Sequence, residues 1–547
     1  MGKRGKHTTF ATFSLLALIF IFGISRGWAI EYGKGTLTLD YYLKLYTNRI
    51  TGNRERSSLE SGFQGYNEVT VNWEHHFSKA TSLSGYLEGI QTSDKNENDK
   101  EFALRNVYLR LLKEGKADIT LGDFAANLSR YILGTSLLGL KAWVSPQEHL
   151  GVWAIAAQNR QRTTLGMGDE YRRYSQGGRV EINFLQKTCK VGFNFINTEV
   201  DPSSLHTTTG VLPYSNQVAS IDTDLRFLSD AIQFQGEAAR SRYDPDRDDP
   251  KAEAQYDNAY RAKLEVIPWQ PLSMYISWER VEPYFNSVLG SAYADNDQTQ
   301  VGFTLTPAQW LEISGYYLRQ YDDIDNSKEF RTLSWTQDLS ITLSPFFFAK
   351  NFLQDMSLTI HGSREDTYSR DHPRSTDTRD KAVDVTISQP IWKLNLSFSM
   401  ENRWFKDHTD STQDSRSRAY TGSVSSNLDL LGVSWAFSLS ERYQVDETNY
   451  EVGSTEDFNT SLALSAMYQK TDTGLSLSWS QEDSDMGDPS ANTLTTSFTA
   501  SLRQGLKRLI KLQGELELKY MYVNHNVEED TYDYKEQTLF MGLKVSF

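Results

Sequence analysis

Cysteine is nearly missing from this chain, with Cys189 standing alone among 547 residues. A single thiol excludes an internal disulfide, a CxxCH haem-attachment site and a thiolate zinc cluster. Cys189 shares strand parity with Val191, Phe193 and Phe195, which gives it the place of a small apolar filler. Long hydrophobic runs are almost as scarce. One extends from Phe10 to Ile24, and past it no stretch of 18 apolar residues occurs, so no helical membrane span is expected. Basic charge is also in short supply, with 56 Lys and Arg against 71 Asp and Glu. That balance argues against a nucleic-acid partner.

The one hydrophobic run follows Lys3, Arg4 and Lys6 and leads into Gly27-Trp28-Ala29. Basic, then apolar, then small residues where a signal peptidase reads is the form of a secretory signal. Cleavage is expected after Ala29, so residues 1–29 are leader and 30–547 a single mature domain. The leader holds four bases and no acid, so the mature chain is more acidic than the formal −15 of the whole. An exported chain without a helical span is either soluble beyond the inner membrane or a β-barrel.

What the sequence has in abundance is alternation. Trp392, Leu394, Leu396, Phe398 and Met400 alternate with polar residues, as do Val433, Trp435, Phe437 and Leu439. Leu272 to Trp278 and Leu512 to Tyr522 repeat the pattern. A strand points successive side chains to opposite faces, so each has one apolar and one polar wall. No charge falls on these apolar faces. Lipid exposure explains the exclusion, because Arg or Lys at the bilayer midplane costs roughly 2–4 kcal/mol. A mean hydropathy of −0.53 suits strands that are only half apolar, and an aromatic share of 12% suits interfacial girdles.

A β-sandwich would also alternate, and the connections separate the two. Short links near residues 78–81, 113–116, 145–148, 186–188, 268–271, 306–309, 389–391, 430–432, 470–474 and 504–508 are interleaved with long polar ones. The long set is 51–65, 92–100, 159–173, 201–215, 243–254, 322–328, 363–381, 406–416, 446–457, 482–491 and 524–533. That rhythm belongs to an up-and-down barrel with tight turns at one end and loops at the other. The expected fold is all-β: a large antiparallel up-and-down transmembrane β-barrel of roughly 26 strands, within 22–26, with no separate plug domain.

The chain ends on Met541-Gly542-Leu543-Lys544-Val545-Ser546-Phe547. This segment resembles the C-terminal assembly signal of Gram-negative outer-membrane β-barrels, porin-like proteins among them. Gly542, Val545 and Phe547 fit that pattern, and Phe540 stands where a polar residue is usual. The resemblance implies a Gram-negative outer-membrane location, contact with outer-membrane lipid, and insertion by the barrel-assembly machinery.

Twenty-six strands would close to a ring on the order of 50 Å across. A hole that wide needs filling, by loops folded inward or by a lumen-filling protein partner. Residues 124–140, which follow Leu121-Gly122-Asp123, are too apolar for an outer loop. Two readings stand: a constriction carrying Asp123, Arg130 and Tyr131 with bends at Gly134 and Gly139, or two plain strands joined by a glycine turn. The Gly122-Asp123 pattern also resembles fimbrial ushers, whose companion motifs and soluble domains this sequence lacks. Arg261, Lys263 and Glu265, and likewise Glu515, Glu517 and Lys519, are expected to line the lumen.

Other constellations are set aside. Asp244, Asp246 and Asp248 mimic a calcium loop, but Asp249 and Gln255 occupy the positions needing Gly and Glu. His75 and His76 point to opposite faces. Ser357 and His361 share a face about 13 Å apart, too far for a base to reach its nucleophile. No cofactor, metal site or enzyme is expected. The reading is a channel for solutes or polymer. The alternatives are a barrel sheath, similar in size to those of porin–cytochrome conduits, around a partner such as a multihaem cytochrome, and a barrel hydrolase.

Overall fold

In a computed structural model the chain forms one closed antiparallel sheet of 26 strands. It describes residues 34–547 apart from 95–101, 160–170, 186–187, 206–209, 349–351, 372, 450–452, 487–490 and 528–531. The expected leader and its cleavage site at Ala29 lie outside the described residues. Each strand pairs with its sequence neighbours, and β1 (Gly35–Gly52) pairs with β26 (Tyr534–Ser546) to close the ring. The closing register runs from Asp40 opposite Ser546 to Gly52 opposite Tyr534. Closure removes the sheet edge that an open β-protein would have to protect.

The last residues act at this seam. The Phe547 N–H donates to Leu39 O at 2.8 Å, and its carbonyl accepts from Leu39 N–H at 3.0 Å. Its ring and Leu543 pack with Tyr41, Leu43, Leu45 and Val69. Val545 lies opposite Tyr41 on this apolar side. Gly542 turns toward the lumen, where a Cβ would press on the Phe540 ring and approach Tyr42.

The outer face follows the alternation. In β12 (Gln255–Trp269) Leu264 is exposed between Tyr256 near one end and Trp269 at the other. Phe193, Phe195, Ile276, Leu339, Phe398, Leu464 and Met541 are likewise exposed. A continuous apolar outside is stable only against lipid, since in water such an area would drive association. Trp392 departs from expectation: it sits at φ +56° in the turn between β18 (Asp377–Ile391) and β19 (Leu394–Asp407). There it is almost wholly exposed, at the level of an interfacial aromatic.

Candidate functional site

The wall is interrupted at one place. β4 (Phe102–Lys113) and β5 (Ala117–Ser129) stay paired only from Lys113 opposite Ala117 to Tyr108 opposite Gly122. Past Gly122, β5 pairs with β6 (Leu133–Gln147) alone. β6 in turn parts from β7 (Leu150–Asn159) beyond Leu137. The hairpin so released turns into the barrel.

Two glycines set the departure. Gly122 has φ +113°, and a Cβ there would come within 2.1 Å of Val107 O. A Cβ on its register partner Gly139 would likewise come within 2.3 Å of Ala156 O. Only glycine tolerates both the conformation and the approach. Asp123 completes the junction. Its carboxylate accepts the Val107 N–H at 2.7 Å, satisfying a backbone donor that loses its strand partner when β5 leaves. Gly134 is not a bend. It sits beside the tip, and its N–H donates to Leu289 O. The tip itself is Arg130-Tyr131-Ile132 and contains no glycine.

The hairpin docks on an apolar row of the inner wall. Ile155 of β7 lies opposite Gly177 of β8 (Arg173–Phe184), Gly177 opposite Ile196 of β9 (Cys189–Val200), and Ile196 opposite Val218 of β10 (Ser215–Phe227). One pleat along, Ala239 of β11 (Ile232–Asp244) faces Ala259 of β12, which faces Val281 of β13 (Leu272–Val281). These side chains form one buried cluster with Phe124, Ala126, Leu128, Tyr131, Ile132, Leu133 and Leu137 of the hairpin. Tyr131, Ile132 and Leu133 are 0% exposed. Fully burying side chains of this size contributes about 1.5–3 kcal/mol each.

Polar bonds fix the register of docking. Arg179 donates to Leu128 O at 3.0 Å while paired with Asp222 at 2.5 Å and Glu181 at 3.0 Å. Tyr131 donates its hydroxyl to Glu279 at 2.7 Å, and Arg130 pairs with the same carboxylate at 2.9 Å. Glu237 accepts the Tyr131 N–H at 3.4 Å. Arg261 stands between these two acids, opposite Glu237 and Glu279 in register.

A second inward element clasps the tip. Residues 282–295, between β13 and β14 (Asn296–Ala308), bring Phe285 edge-on to Tyr131 at 5.7 Å. Ser287 donates to Tyr131 O at 2.5 Å and Ser291 N–H to Arg130 O at 2.8 Å. Asn216 holds the loop from the wall, donating to Asn286 O and accepting from Val288 N–H. A tether to the next loop runs from Asp295 to Lys328 at 2.5 Å and to Ile324 N–H at 2.8 Å. This clasp is missing from the long links read in the sequence. Phe285, Val288 and Leu289, three apolar residues in one connection, were the signal for it.

The other expected lumen residues share the strand faces opposite the exposed Leu264 and Leu518. Lys263 pairs with Glu265 at 3.1 Å, and Glu515 pairs with Arg503 at 2.8 Å. Glu515 and Glu517 share a cavity of about 220 Å³ with Tyr42, Glu68, Gly542 and Lys544. Lys519 lies opposite Ser501 and Phe540. His361 is held between Asp384 at 3.0 Å and Asp338 at 2.8 Å, neither of them neighbours in sequence.

Across the lumen the wall changes character. A register row joins Ser357 of β17 (Ser357–Ser369), Ser388, Ser397, Ser423 of β20 (Ser415–Leu430), Ser440 of β21 (Val433–Thr448), Ser461 of β22 (Gly453–Tyr468), Ser480 of β23 (Thr473–Asp485) and Ser497 of β24 (Thr493–Gly505). Eight consecutive strands thus present a hydroxymethyl group along one register row. Short neutral side chains take up little of the lumen.

No family model and no curated protein matches this sequence. Solved structures resemble it in fold. The translocation pore of the P pilus usher PapC is 10% identical over 93% of this chain and 99% of its own, at a TM-score of 0.37. A BenF-like porin from Pseudomonas fluorescens is 9% identical over 66% and 99%, at 0.35. The outer membrane protein OprD from Pseudomonas aeruginosa is 12% identical over 63% and 90%, at 0.33.

Proposed function

We propose that this barrel is an outer-membrane channel for polar solutes, and that the β5–β6 hairpin is its constriction. The observation that carries this reading is the hairpin itself. It leaves the wall at a glycine pair, crosses to strands β11–β13, and is buried there on an apolar row. An apolar row on a lumenal face has no use in a plain water-filled barrel. It is accounted for by something that must be held against it. Arg130 reaches the narrowed passage from the tip with its charge offset by the buried Glu279, so the narrowing itself, rather than a net charge, sorts what passes.

Conductance in planar bilayers tests the reading. The full-length barrel should give discrete steps. Replacing residues 124–137 by a short Gly-Ser bridge should raise the step size severalfold. Equal steps with and without the hairpin would remove the constriction from the account, and a silent barrel would remove the channel. Silence would favour the sheath reading, to which the serine row lends support by lining part of the facing wall with short side chains. Co-elution of a haem-staining protein from native membranes would identify that sheath.

A further inference from the structure

Four neighbouring strands carry an uneven charge on their outer face. Arg364, Arg379, Lys381, Lys406 and Arg416 share strand faces with the exposed Ile360, Val383, Phe398 and Tyr420. All five lie toward the long-loop ends of β17, β18, β19 and β20. The register sets them against one another, with Arg364 opposite Lys381 and Arg379 opposite Lys406. Like charges directly opposite across a strand pair are destabilising. One carboxylate stands among them: Asp366, bonded to Arg364 and to Arg379 at 2.5 Å each. Glu447, opposite Arg416, is taken by Arg418. Lys381, Lys406 and Arg416 are exposed and have no ion-pair partner among the described residues. The chain as a whole carries a formal charge of −15, so composition does not account for this excess of bases. Aromatic rings mark its height. Trp404 is the register partner of both Lys381 and Arg416, and Arg416 lies over its ring at 5.8 Å. Trp335, opposite Asp366, packs edge-on to Tyr368 at 5.4 Å. Tryptophan and tyrosine bordering an apolar wall sit at the headgroup level of a bilayer. The uncompensated bases therefore face the membrane, not the lumen.

We propose that this patch is a docking surface for the phosphate groups of an outer-leaflet glycolipid. Long loops lie on the outer side of such barrels, so the bases meet the outer leaflet. Guanidinium offers phosphate paired N–H donors, and ammonium a compact point charge. A phosphate seated among Lys381, Lys406 and Arg416 neutralises the charges left over by Asp366 and relieves both opposed pairs. The acyl chains of the same molecule continue over Ile360, Val383 and Phe398, along the wall already read as lipid-facing. An acidic protein would answer the charge but not that apolar continuation. The inference rests on the outer-membrane placement of the barrel and is independent of conduction.

Native mass spectrometry of the full-length barrel in detergent, with diphosphoryl lipid A as probe, tests it. Retention of that lipid is expected, with little of its dephosphorylated form. Lys381→Gln, Lys406→Gln and Arg416→Gln together should weaken retention by about tenfold or more, with folding checked by the heat-dependent gel shift. If that variant misfolds, raised salt on the unaltered barrel serves, since it should release the lipid. Equal retention of the dephosphorylated lipid, or retention untouched by both the substitutions and salt, would overturn the surface. Displacement by an equal concentration of inorganic phosphate would replace the lipid with a free ion. A dimer that the three substitutions dissociate would replace it with a second copy. A barrel that conducts but does not retain the lipid keeps the channel and loses this surface. One that retains the lipid but stays silent in bilayers does the reverse.

Discussion

Strands β7–β13 and strands β17–β24 share one kind of outer face and differ in their inner ones. Both show lipid the same exposed aliphatic and aromatic side chains. Inside, the first group carries Ile155, Ile196, Val218, Ala239, Ala259 and Val281 under the hairpin. The second carries its row of eight serines with nothing among the described residues docked over it. The outer face answers to a uniform solvent, so every strand obeys the same rule. The inner face answers to whatever sits upon it, and that differs round the ring. One wall is built to hold a piece of the chain, the other to leave space.

The comparison breaks most completely if the apolar row is made polar. Val218→Asp together with Ala239→Asp should expel the hairpin, since a carboxylate without a partner under a buried side chain is strongly destabilising. Conductance should rise toward that of the hairpin deletion, and trypsin should then cut after Arg130. Resistance at Arg130 in the double variant would show that the row does not hold the tip. Tyr131→Ala acts on the hairpin side. It removes a fully buried ring and the bond to Glu279, for a loss of about 3–5 kcal/mol. It should appear as flickering current between two levels.

Gly122→Ala tests the departure point. The φ of +113° and the 2.1 Å approach to Val107 O make a loss of about 1–3 kcal/mol the expected result. The measurement is a lower temperature for the heat-dependent gel shift, and Gly134→Ala should leave that temperature unchanged.

Acid acts more weakly, through the clasp. Burial raises Asp295, but the bonds from Lys328 and from backbone N–H groups outweigh it and hold the carboxyl below its ordinary 3.8. Its contribution is complete above that value and is lost as the pH falls through the lowered one. Lys328, held above its ordinary 10.5 by Asp295 and Asp322, contributes fully below 10.5 and is lost above. Gating noise from a loosened clasp should therefore appear below about pH 4 and not between pH 5 and 9. Smallest of all is the serine wall. Ser440→Val or Ser461→Val should change stability by no more than about 0.5 kcal/mol and conductance hardly at all. A large effect seen only in native membranes would mean that a partner lies against it.

Much of this architecture was readable in advance, and the part that was not has a common cause. Phe398 and Met400, or Phe437 and Leu439, report an outward face because lipid judges each position separately. The short links at 78–81, 113–116 and 430–432 mark turns for an equally local reason. Asp123, Arg130 and Tyr131 stood out because residues 124–140 are too apolar for a loop. Their roles did not: the bend lies at Gly122 and Gly139, with Gly134 uninvolved. Ile196 and Ala239 carried a faint signal, each directly following an outward apolar residue and so breaking the alternation. The loop at 282–295 passed unnoticed.

By itself the sequence determined the number of strands to within a few, which face of each meets lipid, and where the ring closes. Each of these is settled within one strand or between neighbours, by side-chain period and turn chemistry. Only the tertiary structure decided what occupies the lumen. Tyr131 meets Glu279, Phe285 and Leu289 some 150 residues away in the chain, and that meeting depends on the accumulated register of seven strands and on the curvature that brings them round. No local pattern encodes such a sum, so the hairpin's destination emerges only when the barrel is closed.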